Sequence, residues 1–401
     1  MPVRLWVLGL ILLVSLPGNL GCVSQPPEKA GEPVGFEKVP GEDLPGFCDD
    51  LDPASLRSAL EKSLRYYGRI PPDRVLKLGD RELRAKWLKE TLVRFLNLLD
   101  AGELNPGTIA RSFDVYRVRF EGSPGRSLVT GYYEPILDGR LAPDQRFCYA
   151  LYGLPPDLIT IELSAFDSAR FSGERLIGRL SGNRVVPYYT RSEIDGGRVL
   201  DPFGNQLAWL QDRVDVFFLH VQGSGILRLP DNRHQRVGYA GANGRPYRSI
   251  GKYLREKGLL TGEITLQTIR AYLRANPERV QEVLWHNESY VFFRWVEEGP
   301  LGSINVPLTA GRSVAMDPGI HPAGAVLYLE SQQPKLDALG NVLRWEPMCR
   351  WVVNQDTGGA IKGLGRVDLF CGSGEAAERI AGRLQHPGKV YFLLIKEIPQ
   401  G

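Results

Sequence analysis

The sequence predicts a mainly β fold preceded by a helical segment, and three observations support this. Residues 53–112 space their apolar side chains three and four apart, as in "SLRSALEKSLRYY" and "RELRAKWLKETLVRFLNLL". From Tyr116 onward the chain changes to short β-rich runs bounded by Gly, Pro and Asp. Many short strands with turn signals, and no repeat of fixed period, favour barrels over a doubly wound parallel sheet.

The first 22 residues predict export. Arg4 precedes the apolar run "LWVLGLILLVSLPGNLGC", which is too short for a membrane-spanning helix and is typical of a secretory signal. Leu20-Gly21-Cys22 resembles a lipobox, in which Cys22 would carry the lipid; a plain signal peptide with a chance cysteine is the alternative. Because Val23 and not Asp follows, we expect a lipoprotein on the periplasmic face of the outer membrane, held by a single lipid anchor.

The remaining elements follow in order along the chain. Residues 23–46 are rich in Pro, Gly and charge and predict a flexible tether. The predicted strands then begin with "VYRVRF", "SLVTGYYEPIL", "RVVPYY" and "DVFFLHVQGSGILRL". A helical interval at 265–285 precedes the strands "YVFFRWVE", "GRSVAMD", "AVLYLES", "CRWVVNQD", "RVDLFCG" and "KVYFLLIKE", with a short helix at 374–384.

Composition excludes several classes of function. The chain has 401 residues, of which 43% are hydrophobic and 24% charged, and its net charge of +3 without a basic block excludes a nucleic-acid partner. After Cys22, four cysteines remain and none forms a CxxC pair, so a zinc ribbon is excluded: Cys48, Cys148, Cys349 and Cys371. They either form two disulfides, with Cys349–Cys371 as the first candidate pair, or are buried thiols.

The stretch "NQDTGGAIKG", residues 354–363, contains the Asp-Thr-Gly triplet of pepsin-like proteases. Such a protease needs two aspartates that share a proton, and this chain has one such triplet, so only a homodimer could complete the pair. The five histidines are dispersed and predict no metal site. The chemistry is therefore expected from carboxylates, and Asp317, Asp356 and Asp368 each lie at the edge of a predicted strand.

At these residues the sequence resembles a known family. "QDTGGAIKGLGRVDLF" with "AMDPGIHPAGAVLYL" is similar to the 3D domain, a double-psi β-barrel named for three aspartates. Upstream, "TGYYEP", "FFLHVQGSG", "GYAGANGRPYRSIGKYL" and "NESYVFF" resemble the specific domain of the membrane-bound lytic transglycosylase A family. The motifs occur in the family's order over residues 115–397.

The resemblance implies a fold of two barrels with a groove between them. A helical segment, residues 47–127, would contribute to the first domain. An inserted β-barrel domain, residues 128–280, would follow, and residues 281–398 would form the double-psi barrel.

The resemblance also implies the chemistry. The family cleaves the β-1,4 bond between N-acetylmuramic acid and N-acetylglucosamine in peptidoglycan, as a carbon–oxygen lyase that uses no water, cofactor or metal ion. The muramyl C6 hydroxyl attacks its own anomeric carbon and leaves a 1,6-anhydro end, so one carboxyl can serve as acid and base. Asp356 matches the catalytic position, Asp368 would be a like-charge neighbour, and Asp317 would be structural or part of the groove.

Sugar recognition needs aromatic rings and polar groups, which cluster in Gly-rich stretches near the family motifs. Lys362 either binds sugar or peptide oxygens or is a solvated turn lysine. The residues expected to bind the glycan are Tyr132, Tyr133, Glu134, Gln222, Gly223, Ser224, Gly225, Tyr239, Asn243, Tyr247 and Lys362.

Two other functions stay open from the sequence. An inverting hydrolase would pair Asp356 with Asp317 or Asp368 at about 6.5–9.5 Å, and an expansin-like protein would bind the wall without cleaving it. Peptidoglycan strands are the expected substrate, attacked by an exolytic enzyme in the family's manner. The sequence does not itself decide exolytic against endolytic attack, the stem-peptide requirement or whether other cell-wall enzymes are partners.

Overall fold

The computed structural model describes residues 33–121, 126–171, 174–262, 264–338 and 340–396. The predicted signal peptide, the lipidation of Cys22 and the first part of the predicted tether lie outside this range. The helices are α1 (Pro53–Tyr67), α2 (Ala85–Asp100), α3 (Pro106–Ser112), α4 (Arg191–Asp195), α5 (Arg213–Gln222), α6 (Ile250–Glu256), α7 (Leu266–Ala275), α8 (Val280–Trp285) and α9 (Gly374–Ala381). None of these helices is both long enough and apolar enough to cross a membrane.

The strands account for most of the described architecture. They are β1 (Pro33–Lys38), β2 (Val75–Leu78), β3 (Arg81–Arg84), β4 (Phe113–Phe120), β5 (Ser127–Glu134), β6 (Ile136–Asp138), β7 (Tyr149–Tyr152), β8 (Ile159–Glu162), β9 (Arg175–Ser181), β10 (Arg184–Pro187), β11 (Gln206–Leu210), β12 (Ser224–Arg228), β13 (His234–Ala242), β14 (Val291–Val296), β15 (Ser313–Ala315), β16 (Val326–Leu336), β17 (Val342–Asp356), β18 (Arg366–Ser373) and β19 (Gln385–Ile395).

Six strands close into a first barrel. They pair in the order β19-β16-β17-β15-β18-β5, and β5 pairs back onto β19, so the ring has no free edge. β4 and then β1 extend the sheet outward from β19. The strands form one buried apolar core with α1 and α2, which includes Leu60, Phe95, Trp351 and Phe392. The amphipathic spacing that predicted the two helices is therefore explained by burial of one helix face against the barrel.

The predicted tether is ordered in its second half. Residues 33–38 form β1, which runs antiparallel to β4. The Phe36 ring makes edge-on contacts with Phe392 at 5.3 Å and with His321 at 5.8 Å. The prediction of a flexible tether was therefore wrong from Pro33 onward, because one aromatic side chain anchors a stretch whose composition is otherwise that of a linker.

The disulfide joins Cys48 to Cys349, with an S–S distance of 2.09 Å, and not Cys349 to Cys371. The Asp50 N–H donates to the Cys349 carbonyl at 2.9 Å, so the chain before α1 lies beside β17. Cys371 lies on β18, which is separated from β17 by β15. Its thiol is free, as is the exposed thiol of Cys148. Short separation along the sequence did not predict the disulfide, because strands that are near in sequence need not be neighbours in the sheet.

A second ring of six strands lies between β5 and β15 in the sequence. β6, β12, β13 and β14 form one sheet and β7 pairs with β11. Single bridges between Arg140 and Trp209 and between Gly153 and Phe293 join the two sheets into a ring. The three-stranded sheet β10-β9-β8 and the helices α6, α7 and α8 are attached to this second barrel.

The strand pairing moves both expected boundaries of the inserted domain. β5 begins at Ser127 and pairs with β18 and β19, so residues 128–134 belong to the first barrel. β14 ends at Val296 and pairs with β13, so residues 291–296 belong to the second barrel. A short apolar strand fits either barrel by its pattern alone, and only its partners decide which barrel it joins.

The predicted strand in "DVFFLHVQGSGILRL" is a helix over its first half. Asp212 caps α5 by accepting the Val214 N–H at 2.8 Å, and Gly223 ends the helix with φ 78°. Val214, Phe217 and Phe218 of α5 face the helices α6–α8, whereas Val216 and Leu219 face the second barrel. Because α5 is buried on both sides, it shows no amphipathic period and resembles a buried strand in sequence.

Candidate active site

Asp356 is the last residue of β17 and its carboxylate is held by three hydrogen bonds. The main-chain N–H groups of Thr357 and Ser303 donate to Oδ1 at 2.8 and 3.0 Å. The hydroxyl of Tyr132 donates to Oδ2 at 2.9 Å. Asp356 itself is half-buried, so the carboxyl is held in a fixed orientation and can still be reached from solvent.

The two residues before Asp356 fix the end of the strand. The buried amide of Gln355 donates to Ala59 O at 2.8 Å and accepts from the Ser313 hydroxyl at 2.6 Å. The buried Asn354 amide donates to Pro322 O at 3.0 Å. The polar letters in "NQD" therefore have separate roles, since Asn354 and Gln355 anchor the strand that presents Asp356.

Gly302 and Ser303 belong to the site and were not predicted. A Cβ on Gly302 would lie 2.2 Å from the carbonyl oxygen of Gln355, so only glycine allows the two backbones to approach this closely. This approach brings the Ser303 N–H to Asp356. A lone Gly-Ser in "GPLGSINVP" is a common loop sequence, so no local signal distinguishes it.

Burial raises the pKa of Asp356 from its ordinary value of 3.8 to about 6. The hydrogen bonds from Thr357, Tyr132 and Ser303 favour the carboxylate and oppose that rise, while the charge of Asp368 adds slightly to it. A carboxyl with a pKa near 6 populates both protonation states around neutral pH. It can therefore donate a proton and later accept one.

Asp368 lies on the same face of the first barrel. Ala315 of β15 pairs with Asp356 on one side and with Asp368 on the other, so the two Cα atoms are about 9–10 Å apart across two strand spacings. The Thr130 hydroxyl donates to Asp368 Oδ1 at 2.6 Å. Burial raises the pKa of Asp368 to about 6 as well, against the effects of Thr130 and Arg366.

Asp317 holds loops together. Its Oδ1 accepts the Gly319 N–H at 3.1 Å and its Oδ2 accepts the Gly363 N–H at 2.9 Å. The Lys362 ammonium is 3.9 Å from the same carboxylate and its side chain is largely exposed. Asp317 thus fixes the loop that follows Asp356, and Lys362 extends from that loop towards solvent. The left-handed backbone of this loop is at Gly363, with φ 86°, and not at the Gly358-Gly359 pair.

The loop that follows Asp356 meets the second barrel at Tyr247. A Cβ on Gly359 would lie 3.9 Å from the Tyr247 Cβ, so the two backbones face each other closely. Glu134, at the end of β5, joins the same two barrels from a buried position. It pairs with Arg236 of β13 at 2.8 Å and accepts the Ser373 hydroxyl at 2.7 Å. Asp356 is therefore next to the junction of the two barrels.

Several residues expected to bind sugar are structural. Glu134 is the buried link between the barrels, and Tyr133 is buried beneath α9 with Ala377 and Ala381. Asn243 is 1% exposed, and its amide holds the backbone at Tyr189, Glu288 and Tyr290. A Cβ on Gly225 would meet Leu219 at 2.5 Å, so this glycine serves packing. The presence of polar residues in a Gly-rich stretch does not show which of their side chains point into the protein interior.

Other expected residues are accessible. Tyr239 is 53% exposed on β13, and a Cβ on Gly223 would meet only open space. Gln222 and Ser224 are half-buried, and the Gln222 Oε1 accepts the Tyr133 N–H at 3.0 Å. Tyr132 contacts the Asp356 carboxylate directly, which the sequence did not indicate. Within the described ranges, no group of three or more His, Cys, Asp or Glu side chains is arranged to hold a metal ion.

Two family models and several known proteins match this chain. Residues 128–294 match the model of the MltA specific insert domain, and residues 312–394 match that of the 3D domain. A protein of Vibrio cholerae named membrane-bound lytic murein transglycosylase A is 34% identical over 310 residues, which are 75% of this chain and 74% of that protein. This chain belongs to the membrane-bound lytic murein transglycosylase A family.

Solved structures of the MltA family share the fold. A membrane-bound lytic murein transglycosylase from Agrobacterium tumefaciens is 32% identical, with a TM-score of 0.74 over 90% of this chain and 98% of that one. The E. coli MltA with bound chitohexaose is 27% identical, with a TM-score of 0.66 over 92% of this chain and 97% of that one. The two-barrel arrangement is thus common to this chain and to other MltA proteins.

Proposed function

We propose that this protein is a lytic transglycosylase that cleaves the β-1,4 bond between N-acetylmuramic acid and N-acetylglucosamine in peptidoglycan and leaves 1,6-anhydromuramyl ends. One observation carries the proposal: the half-buried carboxyl of Asp356 is held by Thr357, Ser303 and Tyr132 next to the junction of the two barrels, and its pKa is raised to about 6. Membership of the MltA family supports the substrate class, and the E. coli relative was solved with a bound chito-oligosaccharide.

The reaction requires one group that gives a proton and then takes one. Protonated Asp356 donates to the glycosidic oxygen as the C1–O bond breaks. The muramyl C6 hydroxyl then forms the new bond to C1, and its proton passes to the Asp356 carboxylate. Water is not consumed and the carboxyl returns to its starting state. Since the nucleophile is part of the substrate, attack is intramolecular and needs no second protein carboxylate.

The test is the mass of the products from a peptidoglycan digest. Transglycosylase products should carry anhydro ends, which are lighter by one water than the reducing ends that a hydrolase leaves. Reducing ends would instead identify a hydrolase, the class to which the inverting alternative belongs, and the absence of any product would favour a wall-binding protein. We further propose that the first barrel is a double-psi barrel, that the glycan passes Asp356 between the barrels, and that Tyr132, Gln222, Gly223, Ser224, Tyr239 and Lys362 contact it.

Location on the outer membrane is part of this proposal. It rests on the apolar N-terminal run that ends at Leu20-Gly21-Cys22. We expect Cys22→Ser to move the protein from the membrane fraction to the soluble periplasm without loss of activity, because a lipid on Cys22 would be the anchor. Fractionation with immunoblotting measures this. Retention of Cys22→Ser on the membrane would place the anchor elsewhere.

Tyr132→Phe should raise the pKa of Asp356 further. The Tyr132 hydroxyl stabilises the carboxylate, so its removal favours the protonated acid. The alkaline limb of the pH profile of kcat/KM is expected to move to higher pH, by up to about one unit. Tyr253→Phe, which removes a similar hydroxyl–carboxylate bond to Glu282 at 2.6 Å, is the control and should not move the limb. A shift to lower pH would contradict the role of Tyr132.

Asp368→Asn should act in the opposite direction. The charge of Asp368 raises the pKa of Asp356, so its removal lowers that pKa and moves the alkaline limb to lower pH. We expect a small shift and a partial loss of rate, measured on the same profile. An inverting hydrolase would need both aspartates. Complete loss equal to that of Asp356→Asn, in a folded protein, would therefore favour a two-carboxylate hydrolase.

A further inference from the structure

A cavity lies between β7 of the second barrel and the helices α4, α5 and α8. It shares no lining residue with the surroundings of Asp356. Its volume is about 460 Å³, within the range of small-ligand sites. It is lined by aromatic rings and by charged groups of both signs. The residues that matter here are Tyr149 and Tyr152 of β7, Asp195 of α4, Arg213 of α5, Trp285 of α8 and the free thiol of Cys148.

Arg213 supplies the positive charge of the cavity, and it acts on Asp195 at a distance. Its guanidinium lies over the Tyr149 ring, 5.0 Å from the centroid, and Nη2 is 3.4 Å from the Tyr149 hydroxyl. Among the described residues, no carboxylate forms an ion pair with Arg213. By contrast, Arg198 of the same cavity is paired with Asp201 at 2.6 Å. The Tyr149 side chain holds the Arg213 guanidinium in place and accepts one weak hydrogen bond from it, which leaves the other N–H donors for an anionic group.

Asp195 supplies the negative charge. Its carboxylate lies 3.7 Å from the buried Arg191, and its side chain is 33% exposed in the cavity. The Arg191 guanidinium also donates to other acceptors. These are the carbonyl oxygens of Asn287 at 3.1 Å and Ser289 at 2.7 Å, and His220 Nδ1 at 3.0 Å. Burial raises the pKa of Asp195, and Arg191, the Tyr290 hydroxyl and Arg213 oppose that rise. The exposed part of the carboxylate can still accept hydrogen bonds from a cationic group.

The cavity also has an apolar wall. The Trp285 ring lies so close to Gly196 that a Cβ on residue 196 would be 2.6 Å from the ring. Trp285 and the tyrosines of β7 offer surfaces for aliphatic parts of a ligand. A ligand that satisfied the whole site would carry a cation and an anion on a short, partly apolar frame.

We propose that this cavity binds a short peptide that carries a free amino group and free carboxylates, with the carboxylate on Arg213 and the ammonium on Asp195. The choice of the murein stem peptide as this ligand rests on the proposed function, because the stem peptides of a diaminopimelate-type murein have these groups. The cavity would hold the peptide of a strand away from the bond that Asp356 breaks.

The test uses the soluble Cys22→Ser protein and isothermal titration with the tetrapeptide L-Ala-γ-D-Glu-meso-diaminopimelyl-D-Ala. We expect saturable binding, and no binding of the same peptide with acetylated amines and amidated carboxylates. Arg213→Gln and Asp195→Asn should each weaken binding by roughly tenfold or more, since each removes a charge-assisted hydrogen bond. Arg228→Gln, a surface arginine paired with Asp138 at 2.7 Å, is the matched control and should bind as wild type.

Cys148 gives a second readout that does not depend on new variants. A maleimide should label this exposed thiol, whereas burial raises the pKa of the half-buried Cys371 thiol to about 12. The peptide should slow labelling of Cys148, and prior labelling should block the peptide. Equal labelling with and without peptide, or wild-type binding by both charge variants, would overturn the proposal. If the protein forms anhydro ends but binds no peptide, only this inference is refuted. If the products carry reducing ends, only the proposed function is refuted.

Discussion

Asp356→Asn is expected to abolish anhydromuramyl product formation while the fold stays intact. Asparagine keeps the size and shape of the side chain but cannot donate and then accept the proton. General acid–base catalysis contributes about 10²–10⁴-fold to a rate, and we expect a loss at the upper end of that range or beyond. The reason is that no second protein carboxylate takes part in the proposed reaction. Product release from purified peptidoglycan, followed by mass spectrometry, measures the effect.

Stability separates loss of chemistry from loss of fold in this variant. Burial holds the pKa of Asp356 near 6, above its ordinary value of 3.8, so the folded protein binds that proton more tightly than the unfolded chain. The free energy of unfolding therefore falls as the pH rises from about 3.8 to about 6 and Asp356 ionises. Asp356→Asn removes this loss of stability. At neutral pH the variant should melt at or above the wild-type temperature. Asp231→Asn, at an exposed turn, is the control that should keep full activity.

The Asn variant should also still bind glycan strands, because Tyr239 and the Gln222–Ser224 stretch are unchanged. A crystal soaked with a chito-oligosaccharide should show the sugar passing residue 356. Anhydro products released by Asp356→Asn at near the wild-type rate would refute the role of Asp356 as the acid and base.

Gly302→Ala should lose most activity although the substituted residue makes no side-chain contact with substrate. The new Cβ would lie 2.2 Å from Gln355 O and 2.7 Å from Leu308 Cδ2. The Gln355 side chain is tied to Ala59 and Ser63, so its carbonyl cannot easily move away. The segment that carries Ser303 must shift instead. This would break the bond from the Ser303 N–H to Asp356 and leave the carboxyl in a different position.

Both stability and rate report on this substitution. Overpacking of this kind costs about 1–3 kcal/mol of the free energy of unfolding. Misplacement of a reacting group by about 1 Å can cost roughly 10²-fold in rate. Ser303→Ala is the matched control, because it keeps the main-chain N–H that reaches Asp356, and it should be close to wild type. Gly359→Ala is a second control, since its Cβ would find nothing closer than 3.9 Å. Wild-type melting and turnover by Gly302→Ala would contradict the proposed role of the close backbone contact.

The sequence alone predicted much of the fold and directed attention to Asp356. Alternation of apolar residues with turn signals predicted most of the strands, and amphipathic spacing predicted α1, α2, α7 and α9. These are local properties, since a strand or helix face is encoded by residues within one element. Three aspartates at strand edges are visible in the same way, and the resemblance to the family selected Asp356 among them as the expected acid.

Tertiary structure decided the surroundings of that acid and the function of its neighbours. Two of the three groups that bond the Asp356 carboxylate come from Ser303 and Tyr132, 53 and 224 residues away in sequence. The pKa of Asp356 also depends on burial that no short stretch encodes. Glu134 has the polar character of a sugar ligand and proved to be a buried link between the barrels. Cys48 forms a disulfide with Cys349, 301 residues away in sequence, because the segment that precedes α1 lies beside β17 in the folded chain. Hydrogen bonds, ion pairs and disulfides act over a few ångströms in space, so the sequence can name the chemical groups but only the folded chain determines which of them meet.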